Sequence, residues 1–185
     1  FTEHGATPSE LLARADAAMY VAKRKGRNQY HTYKDDDETL LQMHAKVHWE
    51  DKIHRALAED RFILHYQPIF NLRTNEIIHY EALLRLEDPD GSLIYPNAFL
   101  DTAEHFGLIR EIDKWVLRSA VARQAESIRE GNPISIAINL SGRNFGHSDI
   151  LPHLQQALDE FQADPQALIF EVTETAAVEN FGRAR

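Results

Sequence analysis

The chemistry-bearing residues of this chain sit at the spacing of extended strands. In Ile77 to Arg85 an extended backbone puts Ile77, His79, Glu81, Leu83 and Arg85 on one side and Ile78, Tyr80, Ala82 and Leu84 on the other. A carboxylate and a guanidinium thus share a face whose reverse is apolar, an arrangement suited to an anionic substrate. Burying a carboxylate is costly unless it is paired or holds a metal, so the competing reading is a structural Glu81–Arg85 ion pair. Three other segments repeat the pattern. Phe62 to Ile69 puts His65 and Gln67 on one side, Ile134 to Leu140 puts Ser135, Ala137 and Asn139 opposite its isoleucines, and Leu168 to Glu171 ends on an acid beside Ile169. Successive strands would therefore deliver Gln67, Glu81, Asn139 and Glu171 near their ends. Two carboxylates and an amide oxygen form a hard donor set that suits Mg²⁺ or Mn²⁺.

Composition narrows the alternatives. The chain has 185 residues, 43% hydrophobic and 26% charged, as expected of a soluble globular protein. It has no cysteine, which excludes disulfides and thiolate metal sites. A net charge of −9 argues against a nucleic acid polymer as partner, though a small phosphorylated ligand fits if cations stand between it and the carboxylates. No apolar run reaches membrane-spanning length, and Phe1-Thr2-Glu3-His4 lacks a secretion-signal pattern, so a cytoplasmic location is expected, with any membrane anchor in upstream segments of a longer parent. The start on Phe1 and the stop at Arg185, inside an expected helix begun after Thr173, read as a fragment.

The elements that must position these residues follow from periodicity. Pro8 to Gly26 reads as a capped amphipathic helix and Asn28 to Tyr33 as a short strand; Asp35 to Glu38 opens a helix whose apolar positions run from Leu40 to Leu57. From Arg61 strands and helices alternate, the pattern of an α/β domain. Phe62 to Leu72 and Glu76 to Leu86 form a hairpin, and Asp88 to Gly91 a turn. Pro96 to Phe106 is a helix, and Glu111 to Arg129 a longer one with Ile112, Trp115, Val116, Ser119 and Ala122 inward. Ile134 to Leu140 and Ala167 to Val172 are strands, joined by a helix over Ile150 to Phe161, which implies parallel pairing.

Tyr66-Gln67-Pro68, Glu81-Ala82-Leu83-Leu84-Arg85, Asn139-Leu140-Ser141 and Glu171-Val172-Thr173-Glu174 resemble, in order and approximate spacing, the first half of the EAL domain, the bacterial phosphodiesterase of cyclic di-GMP. Leu11 to Tyr20, with Ala22-Lys23 and Gly26-Arg27-Asn28, resembles the last helix and strand of a GGDEF domain. The resemblance implies a GGDEF end over residues 1–34, a linking helix over 35–60, and over 61–185 part of a TIM-like (β/α) barrel of EAL type with its first strand antiparallel. It further implies metal ligation by Glu81, Asn139 and Glu171, with Glu81 and Glu171 catalytic, and nucleotide contacts from Gln67, Leu83 and Arg85. Two Mg²⁺ or Mn²⁺ ions would support hydrolysis of cyclic di-GMP to linear pGpG, with Ca²⁺ inhibitory. The family's paired aspartates, lysine and later glutamates would lie beyond Arg185, so the chain alone is expected to be inactive.

Other readings of the same residues compete with these. An EAL-like domain can hold cyclic di-GMP as a receptor, or act as a regulatory or dimerising scaffold; intact Glu81, Asn139 and Glu171 favour catalysis. Asn139 would otherwise cap the turn from Ser141 to Phe145, and Glu174 would be a helix-start acid or a supporting residue. His65 and His79 read as core histidines, Lys23 to Arg27 as a solvated helix end, and Asp35 to Glu38 as a helix start rather than a calcium loop.

Overall fold

A computed structural model describes residues 14–15, 18–19, 22, 28–33, 49–142 and 149–172. The chain divides into two compact units, Phe1–Asp51 and Lys52–Arg185, the division falling within the span read as a linker. In the first unit, residues 14–15, 18–19 and 22 are helical, the Arg14 guanidinium lies 5.1 Å from the Tyr33 ring centroid, and Gln29 donates to the Ala22 carbonyl. The strand expected over Asn28 to Tyr33 is absent: these residues are bends and irregular chain, with Asn28 at φ 48°. Lys23 to Arg27, Asp35 to Glu38, most of the expected linking helix, the turn to Phe145 and everything after Val172, Glu174 included, lie outside the described residues.

The second unit is a five-stranded mixed sheet with helices. Helix α1 covers residues 49–58, and its residues from Lys52 onward belong to this unit. Strands β1 (Phe62–Asn71) and β2 (Glu76–Glu87) pair antiparallel through a tight turn, in which the Asn71 side chain accepts from the Arg73 and Thr74 backbones and Asn75 adopts φ 56°. A two-residue strand β3 (Leu93–Ile94) adds antiparallel to the end of β2. It is too short to carry a periodic signal, and the sequence reading missed it. Strands β4 (Ile136–Leu140) and β5 (Leu168–Val172) follow in parallel, giving the order β1-β2-β4-β5.

Alternation along the strands separates two faces. Phe62, Ala82, Leu86, Ile136 and Ile138 are buried on one of them, where the Phe62 ring lies 5.8 Å from those of both Phe99 and Trp115. The expected helix from Pro96 is instead a 3-10 turn, Pro96–Ala98, then α2 (Leu100–His105), broken at Phe99, whose φ of −132° turns its ring into this core. Helix α3 (Ile109–Arg129) buries Ile112, Val116, Leu117, Ala120, Val121 and Ala125. Trp115, Ser119 and Ala122, expected inward, lie at the margin of that stripe; Trp115 donates from Nε1 to Asp60. Polar Asp113, Gln124 and Ser127 share the buried face because each has backbone partners to satisfy it.

Helix α3 ends in a Schellman motif at Gly131 (φ 75°): Gly131 donates to the Ile128 carbonyl and Asn132 to that of Ser127. The Ser127 hydroxyl donates to the Gln124 carbonyl and accepts from the Ile134 backbone, so Ile134 is tied to the helix and β4 begins two residues later than its apolar pattern suggests. Helix α4 (Ile150–Phe161) has the expected bounds and packs on α3, with a bidentate Arg118–Glu160 pair between them.

Candidate functional site

Register alone brings the candidate residues onto one face. Gln67 on β1 stands directly opposite Glu81 on β2, Glu81 opposite Ala137 on β4, and Asn139 opposite Glu171 on β5. Directly opposed residues share a face, as do residues two apart on a strand, so Gln67, Glu81, Leu83, Arg85, Asn139 and Glu171 all lie on the side away from the helix-covered core. Asn139 sits two positions beyond the partner of Glu81 and reaches back diagonally: its Nδ2 donates to Glu81 Oε1 at 2.8 Å. That bond leaves the amide Oδ1 lone pairs for another partner. Glu171 lies one strand further and level with Asn139, so its backbone is about 12 Å from that of Glu81 at ordinary strand spacing and rise.

The position of the site along the strands differs from the expectation in one respect. Asn139 and Glu171 are the penultimate residues of β4 and β5, whereas Gln67 and Glu81 are mid-strand. Strand β2 runs on past the end of β4 because β1 and β3 both pair with its last residues. Leu83 and Arg85 therefore continue the same face about 7 and 13 Å beyond Glu81.

Arg85 does not pair with Glu81. Its guanidinium carbon lies 4.6 Å from the Tyr95 ring centroid, and Nη1 donates to the Leu84 carbonyl at 2.7 Å. The structural ion pair is thereby excluded for this conformation, and the Glu81 carboxylate bonds to an amide instead. His65 is exposed on the site face, opposite Leu83, rather than buried as a core histidine; His79 is half-buried.

Two supporting residues escaped the sequence reading. Buried Asp113 accepts from the Ser141 backbone N–H at 3.0 Å, and the Ser141 hydroxyl donates to Glu104 at 3.3 Å, so α2 and α3 together hold the chain just after Asn139. The signal available was an acid set among the apolar positions of α3.

The donor chemistry fits a hard divalent cation: two carboxylates and an amide oxygen on one face, in a chain with no cysteine thiolate. Among the described residues no three His, Asp or Glu side chains gather closely enough to hold an ion by themselves. Water, a substrate phosphate or further protein oxygens would have to complete the coordination.

Comparison with known proteins decides the family, because the EAL domain profile matches residues 50–185. The chain belongs to the EAL domain family. Among curated relatives, the cyclic di-GMP phosphodiesterase PdeB of Shewanella oneidensis is 36% identical over 172 residues, 92% of this chain and 20% of PdeB. The bifunctional diguanylate cyclase/cyclic di-GMP phosphodiesterase MucR of Pseudomonas aeruginosa is 38% identical over 176 residues, 94% of this chain and 25% of MucR. The chain thus spans about a fifth to a quarter of the length of these curated relatives. Among solved structures, the Xanthomonas citri FimX EAL domain in complex with c-diGMP superposes with a TM-score of 0.71 at 28% identity, covering 78% of this chain and 56% of that one. The mixed α/β sheet with its antiparallel first strand is the EAL fold.

Proposed function

We propose that this chain contributes part of the active site of a cyclic di-GMP phosphodiesterase, within a longer tandem GGDEF–EAL signalling protein whose EAL domain closes into a TIM-like barrel. The observation that carries the reading is the single face that Gln67, Glu81, Leu83, Arg85, Asn139 and Glu171 share, in an EAL fold. The named activities of PdeB and MucR support the substrate. The MucR match covers 94% of this chain and so extends ahead of residue 50, which supports a GGDEF end there.

In this proposal Glu81, Asn139 and Glu171 would hold Mg²⁺ or Mn²⁺, which when bound supplies an activated water and charge neutralisation at the scissile phosphate. The protein's own part is placement. The Asn139 amide fixes the Glu81 carboxylate, while Asp113 and Glu104 fix the chain that follows Asn139. Leu83 offers an apolar contact to a guanine, Gln67 a side-chain amide beside Glu81, and Arg85 a planar donor fork for a phosphodiester. Hydrolysis of one of the two phosphodiesters consumes one water and yields linear pGpG.

The test is turnover of cyclic di-GMP by the intact protein with Mg²⁺ or Mn²⁺, read by chromatographic appearance of pGpG. Glu81→Ala is expected to lower kcat on the order of 10²–10³-fold, and Ca²⁺, which is larger and holds ligands loosely, to permit binding without cleavage. Binding with no cleavage under every divalent cation would make the domain a receptor. Unchanged turnover in Glu81→Ala would remove Glu81 from the site.

A further inference from the structure

The Arg85 guanidinium rests on an aromatic ring that the family motifs do not include. Strand β3 pairs Ile94 with Leu86 and Leu93 with Glu87, so the next residue, Tyr95, falls opposite Arg85 when that antiparallel register is carried one step further. Opposed residues share a face, which puts Tyr95 on the site side while Ile94 turns to the core with Leu86. Pro96 follows, and a residue before proline is driven to extended geometry; Tyr95 has φ −86° and ψ 153°, so it continues β3 before the 3-10 turn begins. Its carbonyl is held by the Ala98 backbone at 3.1 Å. Tyr95 is 57% exposed, and the Arg85 guanidinium carbon lies over its ring, 4.6 Å from the centroid.

We infer that Tyr95 is a positioning residue for phosphate recognition: its ring face and the Leu84 carbonyl together fix the plane of the Arg85 guanidinium on the nucleotide side of the sheet. This inference rests on the reading that Arg85 contacts a cyclic dinucleotide. Among the described residues Arg85 has no carboxylate partner, and the hydrogen bond from Nη1 to Leu84 constrains only one arm of the fork. A long arginine side chain held at one point keeps much of its rotamer freedom, which it loses when it binds an anion. Stacking on Tyr95 removes that freedom beforehand, leaving the Nε and Nη2 donors presented in one plane to the paired oxygens of a phosphodiester.

The experiment is equilibrium binding of cyclic di-GMP to the intact protein, with KM and kcat alongside and melting temperatures as a control on folding. Tyr95→Leu, which keeps apolar bulk but not the ring, is expected to weaken binding and raise KM about threefold to tenfold with kcat little changed. Tyr95→Phe, which keeps the ring, restores wild-type values. In an Arg85→Ala background Tyr95→Leu adds nothing, since the group it orients is gone. Wild-type binding in Tyr95→Leu, alongside weak binding in Arg85→Ala, overturns the role of Tyr95 and leaves the nucleotide reading intact. Failure of the unmodified protein to bind cyclic di-GMP overturns both.

Discussion

The Asn139 amide and the Glu81 carboxylate, 58 residues apart in sequence, meet at 2.8 Å across neighbouring parallel strands. The bond orders an acid that stands on the open face of the sheet, and it ties β2 to β4 one step beyond their backbone ladder.

Replacing the donor with a second acid exploits this contact. Asn139→Asp sets carboxylate against carboxylate, a repulsion of about 1 kcal/mol even at the dielectric of water and more where the site is shielded. Without divalent cations the variant is expected to melt below the wild-type protein. Added Mn²⁺ should stabilise it more than it stabilises the wild type, if these residues hold the ion. Thermal melts of both proteins with chelator and with Mn²⁺ check this; equal responses to Mn²⁺ would dissociate Asn139 from the cation.

The Ser127 hydroxyl gives a second test, remote from the site. It is fully buried, accepts from the Ile134 backbone and donates to the Gln124 carbonyl. Ser127→Ala strands the Ile134 N–H and is expected to cost about 1–3 kcal/mol in denaturant unfolding. Because Ile134 leads directly into β4, hydrogen exchange should also quicken at Ile136 and Ile138.

Tyr66 makes the alkaline limb of stability informative. Burial, with the nearby Glu126 carboxylate adding and Arg123 opposing, raises its phenol from the usual 10 to about 12. The folded protein then holds this proton more tightly than the unfolded chain, so the contribution is whole below pH 10 and is lost as pH rises toward 12. Tyr66→Phe has no proton to lose and should show a shallower fall in melting temperature across that window. Identical alkaline profiles would mean that Tyr66 ionises as freely as in the unfolded chain.

Much of the site was legible because a strand's period of two is unforgiving: once Ile77 to Arg85 is extended, Glu81, Leu83 and Arg85 must share a side. The parallel pairing of β4 and β5 followed from the intervening helix at Ile150 to Phe161. What sequence could not give was where each ladder stops. The Ile134 backbone spends its donor on Ser127, and β3 is two residues long, so neither the start of β4 nor the seat of Tyr95 carried a periodic signal. The inward stripe of α3 was misjudged because Asp113, Gln124 and Ser127 are polar; their burial depends on partners 28, 40 and 7 residues away. That Arg85 stacks on Tyr95 rather than pairing with Glu81 likewise depends on tertiary structure.

The pairing of β1 with β2 slips by a residue between Ile69 and Phe70, on the hairpin side of the Gln67–Glu81 pair. A slip on the other side of that pair, before Arg85, would have put Glu81 and Arg85 on opposite faces of the sheet. Where it stands, the pairing from Phe62–Leu86 through Gln67–Glu81 to Ile69–His79 is continuous, and the irregularity lies between that stretch and the turn. The exposed tip from Leu72 to Asn75 is accordingly the place to graft a reporter or affinity tag.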